Sequence, residues 1–128
     1  MALLGIEQGI QGVLEPDMLT AAPLTVILYT NNHTPTIGDT MANYTECTDP
    51  LYSSVALTGA NWTLSNVGGV STATYPAITF NFSSNQTIFG YAVVNNGKSK
   101  VCWAEKFSAP VSLGSGQSLT LTLQLTMQ

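Results

Sequence analysis

The run from Ser118 to Gln128, SLTLTLQLTMQ, interleaves Leu119, Leu121, Leu123, Leu125 and Met127 with Ser118, Thr120, Thr122, Gln124 and Thr126. Only a period of two sorts these residues. Successive strand side chains point to opposite faces, so the segment builds one apolar wall and one hydroxyl-rich wall. A helix would scatter the same leucines around its circumference. A protein with this run needs a sheet with one buried and one wet face, and the run is long enough to cross the whole of such a sheet.

Further strands are expected upstream. Leu24 to Thr30, LTVILYT, is apolar on both faces and reads as doubly buried. Tyr52–Thr58, Asn61–Ser65, Ala77–Phe82, Thr87–Asn95 and Lys100–Phe107 follow, separated by turn signals at Thr58-Gly59, Gly68-Gly69, Tyr75-Pro76, Ser83-Ser84-Asn85 and Gly114-Ser115-Gly116. Asn96-Gly97 is the sharpest hairpin cue, because a type I′ turn needs two positive φ angles. It predicts Tyr91–Val94 antiparallel to Val101–Ala104. In that hairpin Val101, Trp103, Glu105 and Phe107 share one face, with Lys100, Cys102, Ala104 and Lys106 on the other. Glu105 is then a carboxylate among apolar neighbours, expected to reach solvent at a strand end or to pair with a lysine. Pro110 is expected to close the strand. The segment 31–50 is turn-rich, and Asp39 is placed to cap one short helical turn through Met41 and Tyr44. Seven or eight short strands without a long helix predict an all-β fold: a single antiparallel β-sandwich of jelly-roll or Greek-key type over residues 24–128.

Residues 1–23 differ from everything after them. Leu3, Ile6, Ile10 and Val13 or Leu14 recur at helical spacing, yet Gly5, Gly9, Gly12, Pro16 and Pro23 undercut a stable helix. This predicts an extended N-terminal arm, with Leu3, Leu4, Ile6, Ile10, Val13 and Leu14 as candidate partner-docking residues. The arm docks on its own domain, a sister subunit or a larger partner.

Composition removes several function classes. Charged residues make up 8% of the 128, the net charge is −4, and Lys98, Lys100 and Lys106 are the only strong cations. Nucleic-acid binding requires several phosphate-neutralising Lys and Arg, so it is not expected. No apolar stretch approaches the length of a membrane helix. The first residues lack a basic n-region, which favours synthesis in a cytoplasm over secretion. The sequons at Asn32, Asn43, Asn61, Asn81 and Asn85 then reflect the abundance of Asn and Thr.

Groups for chemistry are few. His33, the sole histidine, lies in the turn sequence Asn31-Asn32-His33-Thr34-Pro35. A two-carboxylate hydrolytic site would draw on Asp39, Glu46, Asp49 or Glu105, and a calcium site on Asp39, Glu46 and Asp49, but the spacing fits no EF-hand. No catalytic residues, cofactor or metal are expected, and the protein reads as no enzyme. Cys47 and Cys102 are either two reduced core thiols or a candidate disulfide. Trp103 belongs to an apolar alternation, whereas Trp62 points either into the core or outward as a stacking surface for sugars.

The phrases LYTNNHTPTIGDTMANYTEC (28–47), YSSVAL (52–57), FGYAVVN (89–95) and VCWAEKFSAPVSLGSGQSLTLTLQL (101–125) resemble small virion-associated proteins of tailed bacteriophages, and most of all capsid decoration, or cement, proteins. The resemblance spans about Leu24 to Leu125 as an overall pattern of loop and strand phrases. It implies a β-sandwich held on the head exterior by the major capsid protein, as a homo-oligomer with a trimer favoured, made in the bacterial host cytoplasm. It brings no catalytic residues. The alternative is a glycan- or receptor-binding sandwich of a tail fibre or baseplate, acting through exposed aromatics such as Trp62.

Overall fold

The computed structural model describes residues 4–5, 24–58 and 61–127. Among them lie ten strands: β1 (Leu4–Gly5), β2 (Leu24–Tyr29), β3 (Val55–Leu57), β4 (Thr63–Val67), β5 (Val70–Thr74), β6 (Ile78–Asn81), β7 (Gln86–Val94), β8 (Val101–Leu113), β9 (Ser118–Leu121) and β10 (Gln124–Met127). The fold is all-β and antiparallel. One sheet has the order β1-β8-β7-β2-β3, a second β10-β5-β4, and a third pairs β6 with β9. The expected arm over 1–23 lies outside the described residues, except that Leu4–Gly5 pairs with Ala104–Trp103 along the outer edge of β8.

Strand β2 divides its side chains between two cores. Leu24, Val26 and Leu28 join Tyr91, Val93, Trp103 and Phe107 of the same sheet, Ile78, Phe80 and Leu121 from the strands β6 and β9, and Leu123 from the link between β9 and β10. This is the interior of the β-sandwich, whose second layer is split between two small sheets and so is not closed. Ile27 and Tyr29 point the other way, to Tyr44, Ala92, Val94, Val101 and Ala104. Loop 30–46 covers that second cluster, tied back by Thr30 N–H to Thr45 O and Cys47 N–H to Leu28 O, both 2.9 Å. Both faces of β2 are therefore buried, as its composition predicts.

The 118–127 run departs from one continuous strand. β9 pairs with β6, the backbone leaves the ladder at Thr122–Leu123, and β10 pairs with β5. The alternation nevertheless persists: Leu121 and Leu123 are buried while Ser118, Thr120, Thr122 and Gln124 are exposed. A period-two pattern fixes which face a residue takes, not which strand lies alongside. Strand β5 is absent from the expected set, since Val70-Ser71-Thr72-Ala73-Thr74 carries few large apolar residues. It forms because Gly68 (φ 59°) and Gly69 (φ 81°) close a tight turn back from β4.

The β7–β8 hairpin pairs the expected segments antiparallel, with Ala92 opposite Ala104 and Val93 opposite Trp103, but two irregularities re-sort its faces. Val94 pairs with Val101 while Val93 pairs with Trp103, leaving Cys102 as an extra residue. This bulge puts Val101 in the outer cluster and Cys102 beside Trp103 in the inner one, overturning the simple alternation. Farther on, Ile88 pairs with Val111 and Gly90 with Lys106, so residues 107–110 face Phe89 alone. Pro110 sits in this distortion, where its missing N–H removes no ladder bond, and β8 runs on to Leu113 instead of ending there. Nearby, a Cβ on Gly90 would fall against the Glu105 carbonyl oxygen and the Tyr29 ring, so glycine is required for that close approach.

Candidate functional site

The four carboxylates of the described residues, Asp39, Glu46, Asp49 and Glu105, each anchor a polar network of their own. In loop 30–46, Asp39 turns inward beneath the short 3-10 turn Met41–Asn43, and Thr40 takes the cap position expected for Asp39. Asp39 Oδ2 accepts from Tyr44 Oη at 2.6 Å and Thr36 N–H at 2.9 Å, and lies 2.7 Å from His33 Nε2, while Oδ1 accepts from Thr36 Oγ1 at 2.7 Å. Burial works to raise its pKa, but the donors from Tyr44, Thr36 and His33 prevail and hold it at about 2. The ionised carboxylate only accepts, so His33 Nε2 carries the proton between them. Burial, together with the negative charge of Asp39, pushes the Tyr44 hydroxyl far up and that of Tyr29 to about 12.

Asp49 pins the loop before β3 to the turn after β6. Its Oδ1 accepts from Leu51 N–H (2.9 Å), Ser83 N–H (2.9 Å) and Ser83 Oγ (3.0 Å), and Oδ2 from Ser84 N–H (2.9 Å) and Ser84 Oγ (2.6 Å). Its limited desolvation is outweighed by these five donors, which lower the pKa far below the carboxylate range. Glu46 takes Tyr52 Oη at 2.8 Å and Lys98 Nζ at 3.0 and 3.1 Å. Glu105, contrary to the expectation of solvent or a lysine, is buried inside the sandwich and accepts from Tyr91 Oη at 2.7 Å. Burial, reinforced by that bond, drives the Tyr91 hydroxyl well above its ordinary value.

These arrangements lock loops and strands together. A His–carboxylate pair is the orienting half of a nucleophilic triad. Here the hydroxyls of Tyr44 and Thr36 donate to the carboxylate itself, so they act as its ligands and not as nucleophiles served by His33. The carboxylates raised as a calcium or hydrolytic set do not converge: Asp39, Glu46 and Asp49 belong to different networks. Among the described residues no three of His, Cys, Asp and Glu come together to hold a metal ion. Cys47 and Cys102 are free, buried thiols of the inner core. Burial raises both, Cys102 to about 11 against the opposing pull of Lys100.

Trp103 lies in the core. Trp62 is half-buried, set edge-on against Tyr75 with ring centroids 5.1 Å apart, and the Tyr75 hydroxyl accepts from Thr58 N–H at 2.9 Å. Of the candidate docking residues, Leu4 sits in β1, while Leu3, Ile6, Ile10, Val13 and Leu14 lie outside the described residues. No helix is long and apolar enough to cross a membrane among the described residues.

No family model, curated protein or solved structure matches this chain.

The surface that stands out is the second layer. The sequence carries no charged residue between Asp49 and Lys98, nor after Lys106, so β4, β5, β6, β9 and β10 contain none. Thr79 and Thr120 face each other across β6 and β9 with their hydroxyl oxygens 3.2 Å apart, and Asn81 and Ser118 form the next exposed pair. Thr63 and Ser65 on β4 are likewise exposed and uncharged. All charged residues of the described part lie in 39–49 and 98–106. Sequence reading identifies the hydroxyl face that begins at Ser118 but not its extension across the ladder to Thr79 and Asn81, because β6, a strand remote in sequence, supplies it.

Proposed function

We propose that the protein is a non-catalytic structural protein of a tailed-phage particle, decorating and stabilising the head exterior through the major capsid protein, as a homo-oligomer with a trimer favoured. The observation that carries this reading is the uncharged hydroxyl-and-amide layer. Interface centres are depleted of charged residues, and an uncharged face docks without stripping water from ions. The resemblance of the loop and strand phrases to cement proteins supplies the partner. The several internal donors on Asp39 and Asp49, and the Tyr91 hydroxyl on Glu105, support a rigid scaffold over an acid–base centre. On a symmetric shell, many copies multiply modest contacts through effective concentration.

The test is to add purified protein to undecorated heads and image the particles by cryo-electron microscopy. Regular density on the capsomers is expected. Density confined to tail structures, together with selective binding on a glycan array, would replace this reading with the tail-fibre or baseplate module; Trp62, edge-on to Tyr75 and half-buried, gives that alternative little open ring surface.

A further inference from the structure

We propose that Asn96 is a self-modification site, at which the turn of the β7–β8 hairpin converts its own amide to a carboxylate. The Asn96-Gly97 pair marks the hairpin, but its geometry is not the type I′ turn that the dipeptide suggests. Lys98 N–H donates to Asn95 O at 2.9 Å, and the left-handed residue is Lys98 (φ 52°), whereas Gly97 lies outside the left-handed region. Glycine at position 97 is therefore not demanded by the backbone.

What glycine provides there is access. Asn96 and Gly97 are both exposed, and open space surrounds the Gly97 α-carbon. Neither the Asn96 amide nor the Gly97 N–H has a hydrogen-bond partner among the described residues. The neighbouring Asn95 is the opposite case. Its Oδ1 accepts from Ser99 N–H at 2.7 Å and Lys100 N–H at 3.0 Å, and its Nδ2 donates to Ser99 Oγ at 2.8 Å. One amide in this turn is clamped and the other is free to rotate towards the next backbone nitrogen. Of the nine asparagines in the sequence, Asn96 alone precedes glycine.

The chemistry needs only water. The Gly97 backbone nitrogen attacks Asn96 Cγ, forming a new C–N bond. The Cγ–Nδ2 bond of the amide breaks, and its NH2 leaves as ammonia with the proton lost from the backbone nitrogen. Water then opens the resulting five-membered imide at either carbonyl, leaving aspartate or isoaspartate at position 96. Either product adds a carboxylate two residues before Lys98, which pairs with Glu46, on a protein of net charge −4. The isoaspartate also lengthens the turn by one backbone methylene between the Asn95 clamp and Lys98.

The test incubates the full-length protein at mildly alkaline pH and raised temperature, followed by peptide mapping with mass spectrometry. The gain of about 1 Da is expected at Asn96 roughly tenfold or more faster than at any other asparagine, because glycine presents no Cβ to the attacking geometry. The Gly97→Ala variant is expected to keep the melting temperature of the parent and to slow the conversion about tenfold. Conversion led by another asparagine in the parent protein, or an unchanged rate in a folded Gly97→Ala variant, would overturn the proposal.

Discussion

Glu105 shows what a single residue can hide from a sequence. Its alternation with Trp103 and Phe107 places it inward, while the general cost of burying a charge argues that it escapes; the alternation prevails because Tyr91, directly across the ladder, supplies a hydroxyl at 2.7 Å. That partner is invisible until the register is known. Tyr91→Phe should therefore cost about 2 kcal/mol in chemical denaturation, since it leaves a buried acceptor unpaired. Adding Glu105→Leu to that variant should recover much of the loss, and a double variant no better than the sum of the singles would contradict the pairing. Asp39 makes a pH-dependent counterpart. Its folded pKa lies at about 2 against an ordinary 3.8, so its contribution is complete above about pH 4 and is lost as pH falls through about 2. Asp39→Asn should reduce the acid-induced loss of stability in that window by about 1 kcal/mol, a figure kept small because the rim of loop 30–46 is partly solvated.

At the scale of elements, face assignments are legible in the sequence and partners are not. Leu121 and Leu123 point inward as their spacing demands, but nothing in LTLTLQLTM announces the switch between sheets at Thr122–Leu123. Bulges are equally silent, because the extra residue at Cys102 is defined by pairing and not by composition. The Asn96-Gly97 turn combines both lessons: its position follows from the dipeptide, and its conformation does not. Placing the left-handed residue at Lys98 makes a specific forecast. Lys98→Gly should be about 1 kcal/mol more stable than Lys98→Ala, both variants having lost the half-exposed pair with Glu46, because only alanine retains the Cβ penalty at φ 52°. At position 97, alanine and glycine should differ little by thermal melting. Equal stabilities for the two Lys98 variants would contradict the turn geometry.

For the whole molecule, the uneven distribution of charge is the feature most relevant to assembly. The five-stranded sheet and its loops form the charged side, with Asp39, Glu46, Lys98, Lys100 and Lys106; β4, β6 and β9 of the second layer carry no ion, and Asp49 is tied to the Ser83–Ser84 turn at the end of β6. The two sides predict different salt responses. Contacts through charged side chains are screened within about 10 Å at roughly 0.1 M salt, whereas contacts through hydroxyls and amides are not. If the uncharged layer is the docking face, occupancy on undecorated heads should stay nearly constant from roughly 0.05 to 1 M sodium chloride. Thr120→Lys should abolish it, since that lysine would be desolvated at the contact without a partner, while leaving the melting temperature close to that of the parent because position 120 is exposed. Lys100→Thr, on the charged side, should bind as the parent does. A steep fall in occupancy with salt, accompanied by normal binding of Thr120→Lys and loss of binding by Lys100→Thr, would move the docking face to the charged side of the molecule.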